Sequence, residues 1–260
     1  MMNDFVESVR VTRSNGESED DCVAVEEPLE IRIGDRPLAV TMRTPGDDFD
    51  LAAGFLFTEG VVRGFDEIAE MRHWGSPNVV RVALRDGASI DWQKFQRHVY
   101  ATSSCGVCGK ATIDAIRVQT SPLTDDIRVS ADVIRALPDA LRTQQRAFAA
   151  TGAIHATAAF RADGSLIVAR EDISRHNAVD KCVGALLRSN QRADILAVSG
   201  RAGFELVQKA IVARVPVVAA VGAPSSLAVQ LANEMNLTLL GFVRDGRFNV
   251  YAGASRQMLA

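Results

Sequence analysis

The chain has 260 residues, room for one large domain or two smaller ones. Hydrophobic residues make up 47% and charged residues 23%, with a net charge of −3; this suits a globular protein and offers no general basic surface for wrapping nucleic acid. No apolar run reaches the length of a membrane span, since the longest candidate, Ile211 to Val221, is broken by Arg214 and Pro216.

The opening Met1-Met2-Asn3-Asp4 lacks a charged-then-apolar signal, so a cytoplasmic, reducing compartment is the expectation. A strand is predicted over Phe5 to Val11. The polar run Ser14 to Asp21 follows as a loop. Alternating segments at Cys22 to Glu26, Leu29 to Ile33 and Leu38 to Met42, with turn residues between them, predict an antiparallel meander. Pro45-Gly46-Asp47-Asp48 then opens a helix with an apolar stripe from Phe49 to Phe57, ending at Thr58-Glu59-Gly60. Asp47 and Asp48 read most simply as a cap in a favourable dipole field. Strand-like runs at Ile68 to Trp74 and Val79 to Leu84 complete a small α+β unit.

The stretch Ser103-Ser104-Cys105-Gly106-Val107-Cys108-Gly109-Lys110 holds two of the four cysteines. Glycine after each cysteine admits backbone angles that other residues refuse, so the run reads as a tight loop presenting sulfur. A thiolate is the reactive form, and Lys110 or a following helix start would lower the thiol pKa. Three readings stay open: a reactive or carrier thiol, a metal ligand pair, or a structural or redox pair. One pair without His-x3-5-His is too few ligands for a closed zinc site in one chain. A thioredoxin-like motif would normally open a helix after a first strand. Cys22 and Cys182 sit in apolar surroundings and are expected to be small buried hydrophobes.

Beyond the loop, Ile113 to Val118 is strand-like. Ser130 caps a helix, and Leu137-Pro138-Asp139 is expected to start another that reaches about Ala150. From Thr151 the pattern alternates. Strands are predicted at Ile154 to Phe160, Leu166 to Arg170, Ile195 to Val198, Val217 to Val221, Leu237 to Phe242 and Phe248 to Tyr251. Helices are predicted at His176 to Leu187, Phe204 to Val212 and Ser226 to Asn233, and Asp245-Gly246 as a hairpin turn. Continuous apolar strands between helices imply a largely parallel sheet covered on both faces. The overall expectation is an α/β protein, with a small α+β unit over 1–110 and an α/β domain over 111–260. The cysteine loop lies at their junction.

Three more stretches carry chemistry. The turns Ser199-Gly200-Arg201-Ala202-Gly203 and Gly222-Ala223-Pro224-Ser225-Ser226 place glycine and small polar groups where helices begin, as anion sites do. They lie after strands, where ligands gather in open α/β sheets. Plain turn chemistry explains them equally well. The run Glu171 to Lys181 is dense in polar groups. His176, Asp180 and Lys181 there could move protons, or the run is a solvated helix start capped by Asn177 or Ser174. His155, at the edge of an apolar strand, reads as a hydrogen-bonded core residue.

Taken together, these motifs resemble the FdhD family of formate dehydrogenase accessory sulfur carriers. The resemblance rests on Pro45 to Asp48 with Gly54 to Gly60, Ser104 to Lys110, Thr151 to Ala156, Glu171 to Lys181, Ser199 to Arg201, Pro224 to Ala228 and Gly241 to Arg247. It runs nearly the full length of the chain. It implies that Cys105 carries a persulfide received from a cysteine desulfurase, with Cys108 as the second cysteine. It implies delivery of that sulfur to the molybdenum cofactor, in its bis-guanine-dinucleotide form, before the cofactor enters formate dehydrogenase. Phe242, Val243, Arg244, Asp245, Gly246 and Arg247 match the family's cofactor-binding motif, so a guanine nucleotide is expected to bind as a cofactor fragment. The resemblance also implies a homodimer and a larger domain similar to the cytidine-deaminase fold. Deaminase chemistry is not expected, because His155 is followed by Ala156 and Thr157 rather than by a glutamate two residues on, and no Pro-Cys-x-x-Cys follows. The alternative from another class is a non-catalytic metal-binding or metallochaperone module built on the Cys-x-x-Cys.

Overall fold

The computed structural model describes residues 5–86, 90, 92, 120–124, 127–253 and 257–258. The cysteine loop and the strand expected at Ile113 to Val118 lie outside the described residues.

β1 (Val6–Thr12) and β2 (Ser18–Ala24) form an antiparallel ribbon with Val6 opposite Ala24 and Thr12 opposite Ser18. The loop expected over Ser14 to Asp21 is therefore shorter. The turn closes where Arg13 N–H donates to the Glu17 carbonyl at 2.8 Å, and the polar residues after Gly16 enter β2. A two-stranded ribbon has little apolar face to bury, so polar side chains sit in it without penalty. Cys22 is on this ribbon and exposed, contrary to the expectation of a buried hydrophobe.

β3 (Glu27–Ile33), β4 (Arg36–Arg43), β5 (Ile68–His73) and β6 (Val79–Leu84) make a second sheet in the order β4-β3-β6-β5. The expected meander does not continue through it. Among the described residues β2 pairs only with β1, and the second neighbour of β3 is β6, which runs parallel to it. A parallel neighbour needs a crossover. α1 (Asp48–Thr58) lies in that crossover and buries Leu51, Ala52 and Leu56 over Leu29, Ile31, Val80 and Val82.

A short strand, β7 (Val129–Ser130), leads into α2 (Ala131–Arg142), whose first turn is capped by the Ser130 hydroxyl accepting from Val133 N–H at 3.3 Å. Pro138 does not start a new helix; α2 runs through it. An internal proline costs about 3 kcal/mol. Burial of Ile134, Leu137 and Leu141 along one stripe, at roughly 1.5–3 kcal/mol each, outweighs that. The next helix, α3 (Arg146–Thr151), begins later than expected and stops at Gly152, which takes the left-handed φ of 69°.

The main sheet contains β8 (His155–Phe160), β9 (Leu166–Asp172), β10 (Ile195–Val198), β11 (Val217–Ala220), β12 (Thr238–Arg244) and β13 (Arg247–Ala252). Its order is β13-β12-β11-β10-β8-β9. Within this sheet β10–β11 and β11–β12 pair in parallel and the other neighbours pair antiparallel, so the sheet is mixed and not largely parallel. The cause is two hairpins. The Asp163-Gly164 turn folds β9 back on β8, and the Asp245-Gly246 turn, with φ of 54° and 71°, folds β13 back on β12. The sheet is covered on both faces, as expected. α4 (Arg175–Arg188), α5 (Phe204–Val212) and α6 (Ser226–Glu234) lie on one face and α2 on the other. β14 (Gln257–Met258) pairs parallel with β7. No helix among the described residues is long and apolar enough to cross a membrane.

The two sheets are joined through α1 and α4, which pack backbone to backbone. A Cβ added to Gly54 would sit 1.8 Å from the Asp180 carbonyl oxygen, and one added to Gly184 would sit 1.9 Å from that of Asp50. No side chain fits between these helices. Gly54→Ala or Gly184→Ala is expected to destabilise the fold by about 3 kcal/mol, near the top of the overpacking range. Urea unfolding measures it, and a midpoint equal to the parent's would show that the helices can separate freely.

Candidate functional site

Cys105 and Cys108 lie outside the described residues. The turns and the candidate cofactor stretch meet at the C-terminal ends of β10, β11 and β12. Ser199 is fixed to the start of β8: its N–H donates to the Ala156 carbonyl and its hydroxyl accepts from Ala156 N–H, both at 3.0 Å. The following turns are joined by backbone. Gly222 N–H donates to the Gly200 carbonyl at 3.0 Å, Ala202 N–H to Ala223 at 3.2 Å and Ser225 N–H to Ala202 at 3.0 Å. Ser225 then caps α6 by accepting from Ala228 N–H at 3.3 Å. Phe242 N–H donates to the Gly222 carbonyl at 3.1 Å, which brings the third strand end into the same row.

Phe242 carries a φ of 53°, an unusual backbone for a bulky residue and a mark of local strain. Gly241 beside it has no room for a side chain, since a Cβ would lie 2.8 Å from both Pro224 and Tyr251. The expected cofactor residues therefore divide. Val243 is buried in the core, so its side chain faces away from any ligand. Phe242 is half-buried, and the guanidinium of Arg244 lies 5.5 Å from its ring. Arg244, Asp245, Gly246 and Arg247 are exposed, with Arg247 3.9 Å from Asp245. Arg201 is also exposed, on the neighbouring turn.

The polar run Glu171 to Lys181 is neither a solvated helix start nor a set of free proton carriers. Glu171 accepts from the N–H groups of Ala147 and Phe148 at 2.9 Å each, capping α3. Lys181 is buried, 2.8 Å from Asp172, and donates to the Thr44 carbonyl at 2.7 Å. Asn177 donates to the Met42 carbonyl at 2.8 Å. Asp180 accepts from Thr58 at 2.7 Å and from Lys209 at 2.9 Å. Burial works against the charge on Lys209, but Asp180 and Glu59 outweigh it and hold the ammonium protonated. The Asp47-Asp48 cap is likewise replaced. Asp47 occupies the cap position at φ 56° with no side-chain bond to the helix, and Asp48 receives Arg43 through two nitrogens at 2.9 and 3.1 Å. Pro45, Gly46 and Asp47 instead wall a cleft of about 860 Å³ with Arg146, Arg170 and Glu171.

His155 and His176 remain. His176 Nε2 lies 2.9 Å from Glu205. His155 is half-buried beside Gly200; burial lowers its pKa, and Arg175 and His176 lower it further. The expected hydrogen bond to His155 is not present among the described residues. Cys182 is buried as expected, and burial pushes its thiol up to about 12, so it is inert. Among the described residues no group of three or more His, Cys, Asp or Glu could hold a metal.

Comparison with known proteins decides the family. The profile of the FdhD/NarQ family matches residues 24–258. The chain belongs to the FdhD/NarQ family. It is 50% identical over 250 residues to the sulfur carrier protein FdhD of Streptomyces avermitilis, covering 91% of this chain and 89% of that relative. It is 47% identical over 250 residues to the protein of the same name from Mycobacterium tuberculosis, covering 90% and 91%. The crystal structure of a candidate formate dehydrogenase accessory protein from Desulfotalea psychrophila superimposes with a TM-score of 0.78 at 25% identity, covering 97% and 98% of the two chains. The mixed α/β architecture with several sheets is therefore an FdhD-like fold.

The sequence pattern missed Glu205 as the partner of His176, and Lys209 as the partner of Asp180. Both lie on α5, and no local spacing connects them to α4. Lys209→Met should cost about 3–5 kcal/mol, the penalty for leaving a buried carboxylate unpaired; thermal and urea unfolding report it. His155 binds fewer protons folded than unfolded, so its stabilising contribution is present above its ordinary value of 6.5 and is lost as the pH falls below it. Its ring resonances should titrate with a midpoint below 6.5. His155→Gln should flatten the acid-side decline in stability.

Proposed function

We propose that this member of the FdhD/NarQ family is a sulfur carrier that serves formate dehydrogenase through its molybdenum cofactor. The observation that carries this is the naming of relatives near 50% identity as sulfur carriers, together with a Cys-x-x-Cys in a glycine-rich stretch. In the first step the Cys105 thiolate attacks the terminal sulfur of a persulfide on a cysteine desulfurase. A new S–S bond forms on Cys105, and the donor cysteine leaves as thiolate. In the second step the S–S bond on the carrier cysteine breaks and the sulfur passes at the sulfide level to the bis-guanine-dinucleotide molybdenum cofactor, which is the substrate; the two electrons come from the Cys105 and Cys108 thiolates, which end as a disulfide. Cys108 either relays the sulfur or attacks Cys105, forming a disulfide and releasing hydrosulfide.

The guanine-nucleotide ends of the cofactor are assigned to the row of turns at Gly200, Gly222 and Phe242, with Arg244 and Arg247 for the phosphates. Two helix starts supply N–H groups there, and arginine suits bidentate phosphate contact. The same proposal takes 1–110 and 111–260 as the two domains, the second being cytidine-deaminase-like, and a cytoplasmic homodimer as the working form.

Incubation with a cysteine desulfurase and cysteine should add a sulfur of ~32 Da that reductant removes, as sulfane exchange requires. Cys105→Ala should lose the adduct and fail to restore formate dehydrogenase activity in a deficient cell; full activity in that variant overturns the assignment. Arg247→Ala should weaken guanosine diphosphate binding by roughly 10- to 150-fold in titration calorimetry while leaving sulfur loading intact.

A further inference from the structure

The first turn of α4 contains two polar atoms that the rest of the fold does not use. Ser174 occupies the cap position, yet its hydroxyl makes no capping bond; it is 5% exposed and has no hydrogen-bond partner. Two residues on, His176 is 8% exposed, and its Nδ1 also has no partner. Nearly all buried polar atoms in folded proteins are paired, so two orphans within one helical turn mark a place for a ligand. Arg175, between them, makes no hydrogen bond or ion pair among the described residues, and His155 is near enough to Arg175 and His176 for their charges to lower its pKa. The backbone N–H groups of the same turn receive no side-chain cap.

We propose that the N-terminus of α4 is a binding site for a small protic anion, held by Ser174, Arg175 and His176. The donors are the first-turn N–H groups, the Arg175 guanidinium and the Ser174 hydroxyl, an arrangement that favours negative charge. The carboxylates nearby are already matched. Asp172 is paired with Lys181 at 2.8 Å, and Glu205 faces the opposite nitrogen of His176.

That pairing sets the ligand's chemistry. Glu205 is taken as accepting from Nε2–H of His176, and the unpartnered Nδ1 as the acceptor that the ring offers the ligand. A site of several donors and one acceptor fits an anion that carries a proton of its own. Hydrogen phosphate and hydrosulfide qualify; sulfate does not. His155, beside Gly200, places this site next to the turns assigned to the nucleotide. The anion therefore has two sources: the carried sulfur, or a phosphate of the cofactor. The site itself rests on geometry, and only the first source depends on the sulfur-carrier proposal.

The test follows the imidazole 1H–15N resonances of His155 and His176 in the full chain. Sodium phosphate, sodium hydrosulfide and sodium sulfate are titrated separately at constant pH and ionic strength. Phosphate or hydrosulfide should shift both rings saturably, with sulfate at least about 10-fold weaker for want of one charge-assisted hydrogen bond. Arg175→Ala and Ser174→Ala, each with parent-like thermal unfolding, should weaken the tighter anion by about 10-fold. Tighter hydrosulfide binding assigns the site to sulfur, and tighter phosphate binding to the cofactor. No saturable shift, sulfate equal to the others, or unchanged affinity in both variants overturns the site. Mass of Cys105 on the same samples keeps the two proposals apart. Loading without anion binding removes this site alone, and anion binding without loading removes the sulfur-carrier proposal alone.

Discussion

The close contact between Gly54 of α1 and Gly184 of α4 is the constraint on which the rest depends. Each position faces the partner helix's backbone with no space for a Cβ. Such an approach gives up side-chain burial in exchange for backbone dispersion over a short distance. It also brings the polar flanks of both helices inside the protein. Asp50 meets Arg170 and Arg188, Asp180 meets Lys209, and Thr44 meets Asp172 and Lys181. Buried pairs of this kind add little net stability over apolar packing, but losing one partner is costly. They hold one docking geometry between the small sheet and the large one.

That docking explains the density of polar residues between Glu171 and Lys181. The segment looks catalytic because it is rich in ionisable groups. Most of them are spent on joining elements: Asp172 and Lys181 hold the residue after β4, Asp180 holds α1 and α5, and Glu171 caps α3. What is left over is informative: Ser174, Arg175, His176 and His155 stay outside the joint. Of these, His155 sits beside Gly200, in the turn that ends β10. The mixed sheet matters here. Hairpins at both edges leave three central parallel strands, and ligands in such sheets gather at the strands' C-terminal ends. The strained Phe242 and the crowded Gly241 tie the third strand end into that row.

Much of the fold was legible in the sequence. The 3.6-residue stripes of α1, α4 and α5 and the short apolar runs of β10 and β11 marked those elements to within a residue or two. Asp245-Gly246 marked its own hairpin, because left-handed backbone suits those residue types. Pro138 misled, since a local rule about proline yielded to a buried stripe on both sides of it. Ser18 to Asp21 misled in the other direction, because polar residues can pair as a strand when neither face is buried. The candidate cofactor stretch was found as a motif, but its inward Val243 and outward arginines were not distinguishable in a linear reading.

By itself, then, the sequence determined most element types, most turn positions, the presence of a Cys-x-x-Cys pair and the family. These depend on periodicity and on residues a few places apart. Only the tertiary structure decided which strands pair, that the large sheet is mixed, and which charges neutralise which. The partners Asp50 and Arg170 are 120 residues apart, Thr58 and Asp180 are 122 apart, and Glu59 and Lys209 are 150 apart. No local propensity connects positions so distant. Their meeting follows from two glycines that let two helices touch.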